Sequence, residues 1–91
     1  MVESEIVVFK RLQAIAKDIE LTYKIEDEDL GSHGPMNIDS LEFMSFLIEV
    51  QSRFGVKISD EEVQQKRLMV IRNLVAYLFE SQATTGHPQQ T

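Results

Sequence analysis

The sequence contains no cysteine and carries only 9 basic side chains against 15 acidic ones. The missing cysteines exclude disulfides, thiolate metal sites and cysteine nucleophiles, which suits a cytoplasmic protein. The net charge of -6 repels phosphate backbones, so nucleic-acid binding is not expected. No apolar run reaches transmembrane length, and the N-terminus lacks the pattern of a signal peptide. We therefore expect a soluble protein that does not insert into membranes.

The chain is short, and its acidic residues are concentrated in one part of it. Its 91 residues suffice for one domain with a modest core but leave little room for a deep catalytic cleft. Residues 39–62 hold six acids and two bases, whereas residues 63–91 hold one acid and three bases. We therefore expect a monomer that functions through its surface. The functional surface is expected near the acidic segment, residues 39–62.

Apolar residues recur at helical spacing near the N-terminus and predict a helix over residues 3–19. The predicted core face consists of Ile6, Phe9, Leu12, Ala16 and Ile19, with Val8 and Ile15 on its flank. Residues 20–38 show no sustained period and include an acidic run and the segment Gly-Ser-His-Gly-Pro, so they predict a long loop. Four apolar residues are expected to anchor this loop to the core: Tyr23, Ile25, Leu30 and Met36.

Three further helices are predicted from start and stop signals. Asp39 is a good N-cap and is followed three positions later by Glu42, so the second helix should begin there and end at Gly55. Ser59 and Glu62 repeat the start signal for a short third helix. A fourth is predicted over residues 70–80, and residues 82–91 are polar enough to predict a disordered tail. The expected fold is all-α: one four-helix bundle over residues 1–81, with a long loop between helices 1 and 2.

The second helix carries two apolar stripes, one more than a small bundle is expected to bury. At about 100° per residue, one stripe has the width of a core-facing surface. It consists of Phe43, Phe46, Leu47, Val50 and Phe54. Leu41, Met44 and Ile48 form a second stripe, displaced by about 130° from the first. Ser40 lies between the two at the helix start, where a modification and docking site could be formed. Alternatively, Ser40 is an ordinary first-turn residue and the second stripe packs against the long loop.

An ordered series of motifs over residues 36–78 resembles the acyl carrier protein family, the phosphopantetheine-bearing four-helix carriers of fatty acid and polyketide synthesis. The matching segments are Asp-Ser-Leu-Glu at 39–42, Phe-Gly at 54–55, Val-Lys-Ile-Ser-Asp-Glu-Glu at 56–62 and Val-Ala-Tyr-Leu at 75–78. The resemblance implies that Ser40 accepts 4'-phosphopantetheine from coenzyme A through a separate phosphopantetheinyl transferase. The arm would supply the thiol that the chain lacks, and the protein itself need not be an enzyme.

The resemblance also implies roles for residues around Ser40. Partner recognition would involve Asp39, Leu41, Glu42, Met44 and Ile48. The partners implied are the transferase and acyl-loading, condensing or acyltransferase enzymes. In similar proteins an acyl chain can shelter inside the bundle, where it would meet Phe46, Val50, Phe54, Ile58, Leu68 and Ile71. Those six residues would equally form a plain core.

The sequence departs from the family pattern at several positions. Asn37-Ile38 stands where most carriers have Gly-X, and residues 31–35 form an unusual insert. Ser45, Gln51 and Ser52 occupy helix positions that are often acidic in fatty-acid carriers. We therefore expect docking that depends less on charge, and a specialised discrete carrier in a fatty acid, polyketide or related pathway.

Other functions agree with parts of the sequence. An aminoacyl or peptidyl carrier would use the same serine, and an unmodified helical adaptor would use only the second stripe. A hydrolytic triad of His33, Asp39 and Ser40 is disfavoured because two of its members are adjacent and no oxyanion-hole motif is present. The acidic run at residues 27–29 fails the spacing of a calcium loop, so no metal site is expected.

Overall fold

The computed structural model describes residues 3–85, with the side chains of residues 3, 4 and 83–85 left aside. Four helices are present in this range: α1 (Glu3–Asp18), α2 (Ser40–Phe54), α3 (Asp60–Gln65) and α4 (Ile71–Thr85). The described residues contain no strand, and a single 3-10 turn, Asp27–Leu30, interrupts the loop between α1 and α2. The predicted all-α bundle with a long first loop is confirmed.

Two features of the secondary structure differ from the prediction. The 3-10 turn was not predicted. It forms because the Asp29 carboxylate accepts hydrogen bonds from the Glu26 amide at 2.8 Å and from the Tyr23 hydroxyl at 2.6 Å. Helix α4 continues past the predicted end at residue 80, so residues 82–85 are helical rather than part of a tail. Gln82 stabilises this extension by donating to the Phe54 carbonyl at 3.0 Å. The remainder of the predicted tail, residues 86–91, lies outside the described residues.

The core lies between α1, α2 and α4, and the α1 face that packs into it differs from the predicted one. Ile6, placed in the core by the spacing, is 40% exposed, whereas Val8 and Ile15 are fully in the core rather than on its flank. Three consecutive apolar residues, Ile6, Val7 and Val8, lie near the start of the helix, and spacing alone does not tell which of them faces the core. The predicted core stripe of α2 is confirmed: Phe43, Phe46, Leu47, Val50 and Phe54 are all buried.

The ends of α2 and α3 follow the predicted signals. Gly55 ends α2 with φ +66, a left-handed conformation that glycine adopts without a Cβ penalty. Ser59 and Glu62 form the predicted capping box at the start of α3. The Gln51 side chain joins α2 to the residues just before α3, because its Oε1 accepts from the Ile58 amide at 2.8 Å. These contacts determine where α2 ends and where α3 begins.

Candidate functional site

The start of α2 holds Ser40 on the surface. Asp39 is extended, and its Oδ1 accepts a hydrogen bond from the Glu42 amide at 2.8 Å, which makes it the N-cap. Ser40 is consequently the first helical residue, and it is exposed. Within residues 3–85 no side-chain hydrogen bond engages its hydroxyl. The hydroxyl is therefore accessible from solvent.

The position of Ser40 also favours a negatively charged substituent. The first backbone N–H groups of a helix have no partner within the helix, and the helix dipole makes that end positive. A phosphate ester at such a position is stabilised by both effects. The site is thus chemically suited to an attached phosphodiester.

The second apolar stripe of α2 faces solvent. Leu41 is 80% exposed, Met44 48% and Ile48 62%. The alternative that this stripe packs against the long loop is wrong. At about 100° per residue, the exposed Ser45 and Ser52 share the same face. We call Leu41, Met44 and Ile48 the apolar strip. It begins one residue after Ser40 and follows α2 for two turns.

The acidic side chains of α2 lie outside the apolar strip, and each is engaged within the molecule. The Glu42 carboxylate accepts a hydrogen bond from the Thr22 hydroxyl, across to the start of the long loop. Glu49 Oε2 lies 2.9 Å from Arg53 Nε. Arg53 Nη1 lies 2.7 Å from Asp18 Oδ2, and the hydrogen bonds to Asp18 and Glu49 raise the pKa of Arg53. The strip itself is therefore free of charge.

A groove opens beside Ser40, between α2 and α3. It encloses about 340 Å³ and is lined by Ser40, Phe43, Met44, Leu47, Asp60, Val63, Gln64 and Met69. A second groove of about 230 Å³ adjoins it, since the two share Val63, Gln64 and Met69. The groove could not be predicted from the sequence, because Val63 and Met69 lie in short segments without a helical period. The two grooves are neighbours along α3 and are open to solvent, and we refer to them together as the channel.

The six predicted acyl-lining residues are brought together, but as a packed core. Phe46, Val50, Phe54, Ile58, Leu68 and Ile71 are all buried in one cluster. None of the six lines either groove of the channel. The groove that Ser40 lines is therefore formed by residues other than these six.

The residues considered for a hydrolytic triad do not come together. His33 contacts Arg72, with 3.0 Å between Nε2 and Nη1, and the carboxylate of Asp39 caps α2. In the part of the chain from residue 3 to 85, no group of histidine or acidic side chains has the arrangement of a metal site. No helix there is both long enough and apolar enough to cross a membrane.

Comparisons with known proteins agree with this site. A family model described as a phosphopantetheine attachment site matches residues 12–78. The acyl carrier protein of Renibacterium salmoninarum is 26% identical over 83 residues, which cover 91% of this chain and 100% of that protein. The acyl carrier protein of Coprothermobacter proteolyticus is 32% identical over 62 residues, 64% of this chain and 72% of that protein. No solved structure matched the chain. The chain belongs to the acyl carrier protein family, whose shared domain is the attachment site of 4'-phosphopantetheine.

Proposed function

We propose that this protein carries acyl intermediates as thioesters on a 4'-phosphopantetheine arm attached to the hydroxyl of Ser40. The observation that supports this assignment best is the exposed, unengaged hydroxyl at the positive end of α2, inside the segment that matches the family. A phosphopantetheinyl transferase would catalyse the attachment. The serine oxygen forms a bond to the phosphorus that bears pantetheine, 3',5'-ADP leaves coenzyme A, and the serine proton is released.

The carrier itself contributes no catalytic group in this proposal. The chain has no cysteine, so the thiol that forms the thioester belongs to the arm. Ser40 supplies the attachment oxygen, and Asp39 orients the helix start through its hydrogen bond to the Glu42 amide. The transferase and acyl-loading, condensing or acyltransferase enzymes would perform the chemistry.

The apolar strip is the surface we assign to these partner enzymes. Leu41, Met44 and Ile48 are large apolar side chains held in water, and their burial against a partner releases roughly 25 cal/mol per Å² of apolar surface. Asp39 would face the partner beside Ser40. Glu42 has a second role, because its carboxylate binds Thr22 and so holds the long loop against α2. Docking would therefore depend more on apolar contact than on charge.

The channel along α3 is the path we assign to the arm. Its wall beside Ser40 is formed by Phe43, Met44 and Leu47, which suits the gem-dimethyl and methylene groups of pantetheine. The Gln64 side chain can exchange hydrogen bonds with the amides of the arm. Sheltering a long acyl chain among the six buried residues around Phe46 would require the packed core to open.

Cargo and pathway belong to the same proposal. We infer a specialised carrier in a fatty acid, polyketide or related pathway, because Ser45 and Ser52 leave the partner face of α2 uncharged. An aminoacyl or peptidyl carrier is the nearest alternative. It would be loaded by an adenylating enzyme, with an amino acid as the substrate.

The test is thioester formation at Ser40. The purified protein is incubated with a broad-specificity transferase and acetyl-coenzyme A, and the modified peptide is located by tandem mass spectrometry. We expect acetyl-phosphopantetheine on the peptide that contains Ser40, with an acetyl group that neutral hydroxylamine removes. Modification of another residue, or an acetyl group that resists hydroxylamine, would contradict the proposal. An unmodified protein that still binds partners through Leu41 and Ile48 would be a helical adaptor.

A further inference from the structure

The outer face of α1 takes no part in the site at Ser40. Four of its residues recur at steps of three and four: Val7, Lys10, Ala14 and Lys17. At about 100° per residue they lie within about 80° of one another, on the side of α1 opposite the residues that enter the core. All four are exposed. They form a straight row about 15 Å long, which we call the outer row.

The outer row combines apolar and cationic side chains that face solvent. Val7 is 54% exposed, and Ile6 at the edge of the row is 40% exposed. Outside the apolar strip, these two are the only exposed large apolar side chains among residues 5–82. Neither Lys10 nor Lys17 forms an ion pair with a described residue. The row is therefore an unpaired positive surface on a chain whose net charge is -6.

Paired charges lie between the outer row and the apolar strip of α2. Arg53 Nη1 lies 2.7 Å from Asp18 Oδ2 on α1, and Arg53 Nε lies 2.9 Å from Glu49 Oε2 on α2. Arg11 is engaged at the same seam, since its guanidinium lies 3.9 Å from the centre of the Phe54 ring and donates to the Arg53 carbonyl at 3.0 Å. The outer row and the apolar strip are therefore two separate surfaces on different helices.

The spacing and charge of the outer row fit a helix of another protein. Alternating steps of three and four residues produce the seam along which two helices pack side by side. Lysines at two of the four seam positions determine the charge of the partner, because covering an ammonium group costs free energy unless a carboxylate faces it. A second copy of this chain fits poorly: two outer rows place four lysines in one seam, and the apolar strip contains no acid. The row therefore favours an acidic helix.

We propose that the outer row binds an acidic amphipathic helix of a partner protein, which holds the carrier while Ser40 and the apolar strip remain free for other enzymes. Glutamates seven residues apart on that helix would pair with Lys10 and Lys17, which lie about 10 Å apart along α1. Apolar side chains of the same helix would cover Ile6 and Val7. This surface does not depend on the attachment of an arm to Ser40.

The experiment uses two synthetic helical peptides that differ only in charge. Both have leucines along one face, and the residues beside this face are glutamates in one peptide and lysines in the other. The full isotope-labelled chain is titrated with each peptide, and its backbone amides are followed by NMR. We expect the glutamate peptide to shift the amides of residues 6–18, with binding that weakens steeply as salt is added, and the lysine peptide to shift none of them. Equal binding of both peptides, shifts confined to residues 41–48, or no shift at all would overturn the proposal.

Charge reversal tests the two lysines directly. Lys10→Glu combined with Lys17→Glu should weaken binding of the glutamate peptide by roughly tenfold or more, and the lysine peptide should bind to this variant instead. Both lysines are exposed, so the variant keeps the fold. The matched control is Lys24→Glu, since Lys24 is an exposed lysine of the long loop. Lys24→Glu should bind the glutamate peptide like the wild type, and an equal loss in this variant would show that net charge alone drives binding.

Three further measurements separate the possible occupants of the outer row. A transferase should modify Ser40 at the same rate with and without saturating glutamate peptide, and a slower rate would merge the two surfaces. Sedimentation should show a monomer, and a dimer that the charge reversal abolishes would assign the row to a second copy. Binding to phosphatidylglycerol vesicles that the reversal abolishes would assign it to a membrane surface. Each of these contrary results would overturn the proposal, whereas a chain that accepts no arm would overturn only the assignment of Ser40.

Discussion

The carboxylate of Asp39 and the backbone amide of Glu42 are joined by a hydrogen bond of 2.8 Å, and this contact determines where α2 begins. Because Asp39 caps the helix from outside, Ser40 occupies its first position and its hydroxyl faces solvent. The residue before the serine thus has two separable properties, a capping oxygen and a negative charge.

Substitutions of Asp39 separate these properties. Asp39→Ala removes the cap and should lower the free energy of unfolding by about 1 kcal/mol, whereas Asp39→Asn retains a good cap and should cost much less. Stability is measured by urea denaturation. If the transferase also recognises the charge of Asp39, both variants will be modified more slowly than wild type under conditions in which they are folded. If the folded Asp39→Asn protein is modified at the wild-type rate, the role of Asp39 is limited to capping.

Docking through the apolar strip should be weakly dependent on salt. Exposed charges more than about 10 Å apart are largely screened at 0.1 M salt, whereas apolar contact is not weakened by such screening. We expect kcat/KM for modification by a transferase from the same organism to change little between low and high salt. Leu41→Ala and Ile48→Ala should each lower it by roughly tenfold, equivalent to about 1.4 kcal/mol of lost contact.

Two variants on the same helix serve as controls for this measurement. Ser52 lies on the same face as the strip, and Ser52→Ala removes no apolar surface. Glu49→Gln removes a charge that is paired with Arg53. Both should be modified at the wild-type rate. A steep loss of activity with salt, or a large effect of Glu49→Gln, would indicate that charge directs docking.

Tyr23 should make the stability of the protein sensitive to alkaline pH. The hydrogen bond to Asp29, burial, and the charges of Asp29 and Glu26 raise the pKa of Tyr23 to about 12. An unfolded tyrosine titrates near pH 10, so the folded state holds this proton more tightly. The resulting stabilisation is fully present below pH 10 and is lost as the pH rises through about 12.

The check is an absorbance titration of tyrosinate together with denaturation at several pH values. Tyr77→Phe leaves Tyr23 as the sole tyrosine, since the chain has two, and its ionisation should then occur near pH 12. Tyr23→Phe should lose about 1 kcal/mol at neutral pH and show a shallower alkaline decline. Ionisation of Tyr23 at pH 10 would contradict the bond to Asp29.

Arg67→Gly should stabilise the protein. Glycine removes the cost of a left-handed Cβ at φ +53, and the greater entropy of the unfolded chain offsets part of this gain. We expect the free energy of unfolding to rise by up to about 1 kcal/mol in urea denaturation. Arg67→Ala keeps the strain and removes the guanidinium, so it should not be stabilised. Equal stability of both variants would show that the turn is not strained.

The helices could be predicted from sequence because their signals are local. The N-caps Asp39 and Ser59 and the terminal Gly55 are readable within a few residues. The exposure of Leu41 and Ile48 was also predictable, since one helix cannot bury two opposed faces in a small bundle. The channel was not, because it requires α3 to lie beside α2, and that placement depends on tertiary contacts that no local signal in the sequence indicates. The inward turn of Val8 instead of Ile6 likewise depends on tertiary packing.

The measurement that tests the account most directly is the intact mass of the protein before and after incubation with coenzyme A and a broad-specificity phosphopantetheinyl transferase. Ser40→Ala is the test variant, and Ser45→Ala, a nearby exposed serine on the same helix, is the matched control. We predict one phosphopantetheine addition to the wild type and to Ser45→Ala, and none to Ser40→Ala. No addition to the folded wild type, or continued addition to Ser40→Ala, would contradict the assignment of Ser40 as the attachment site.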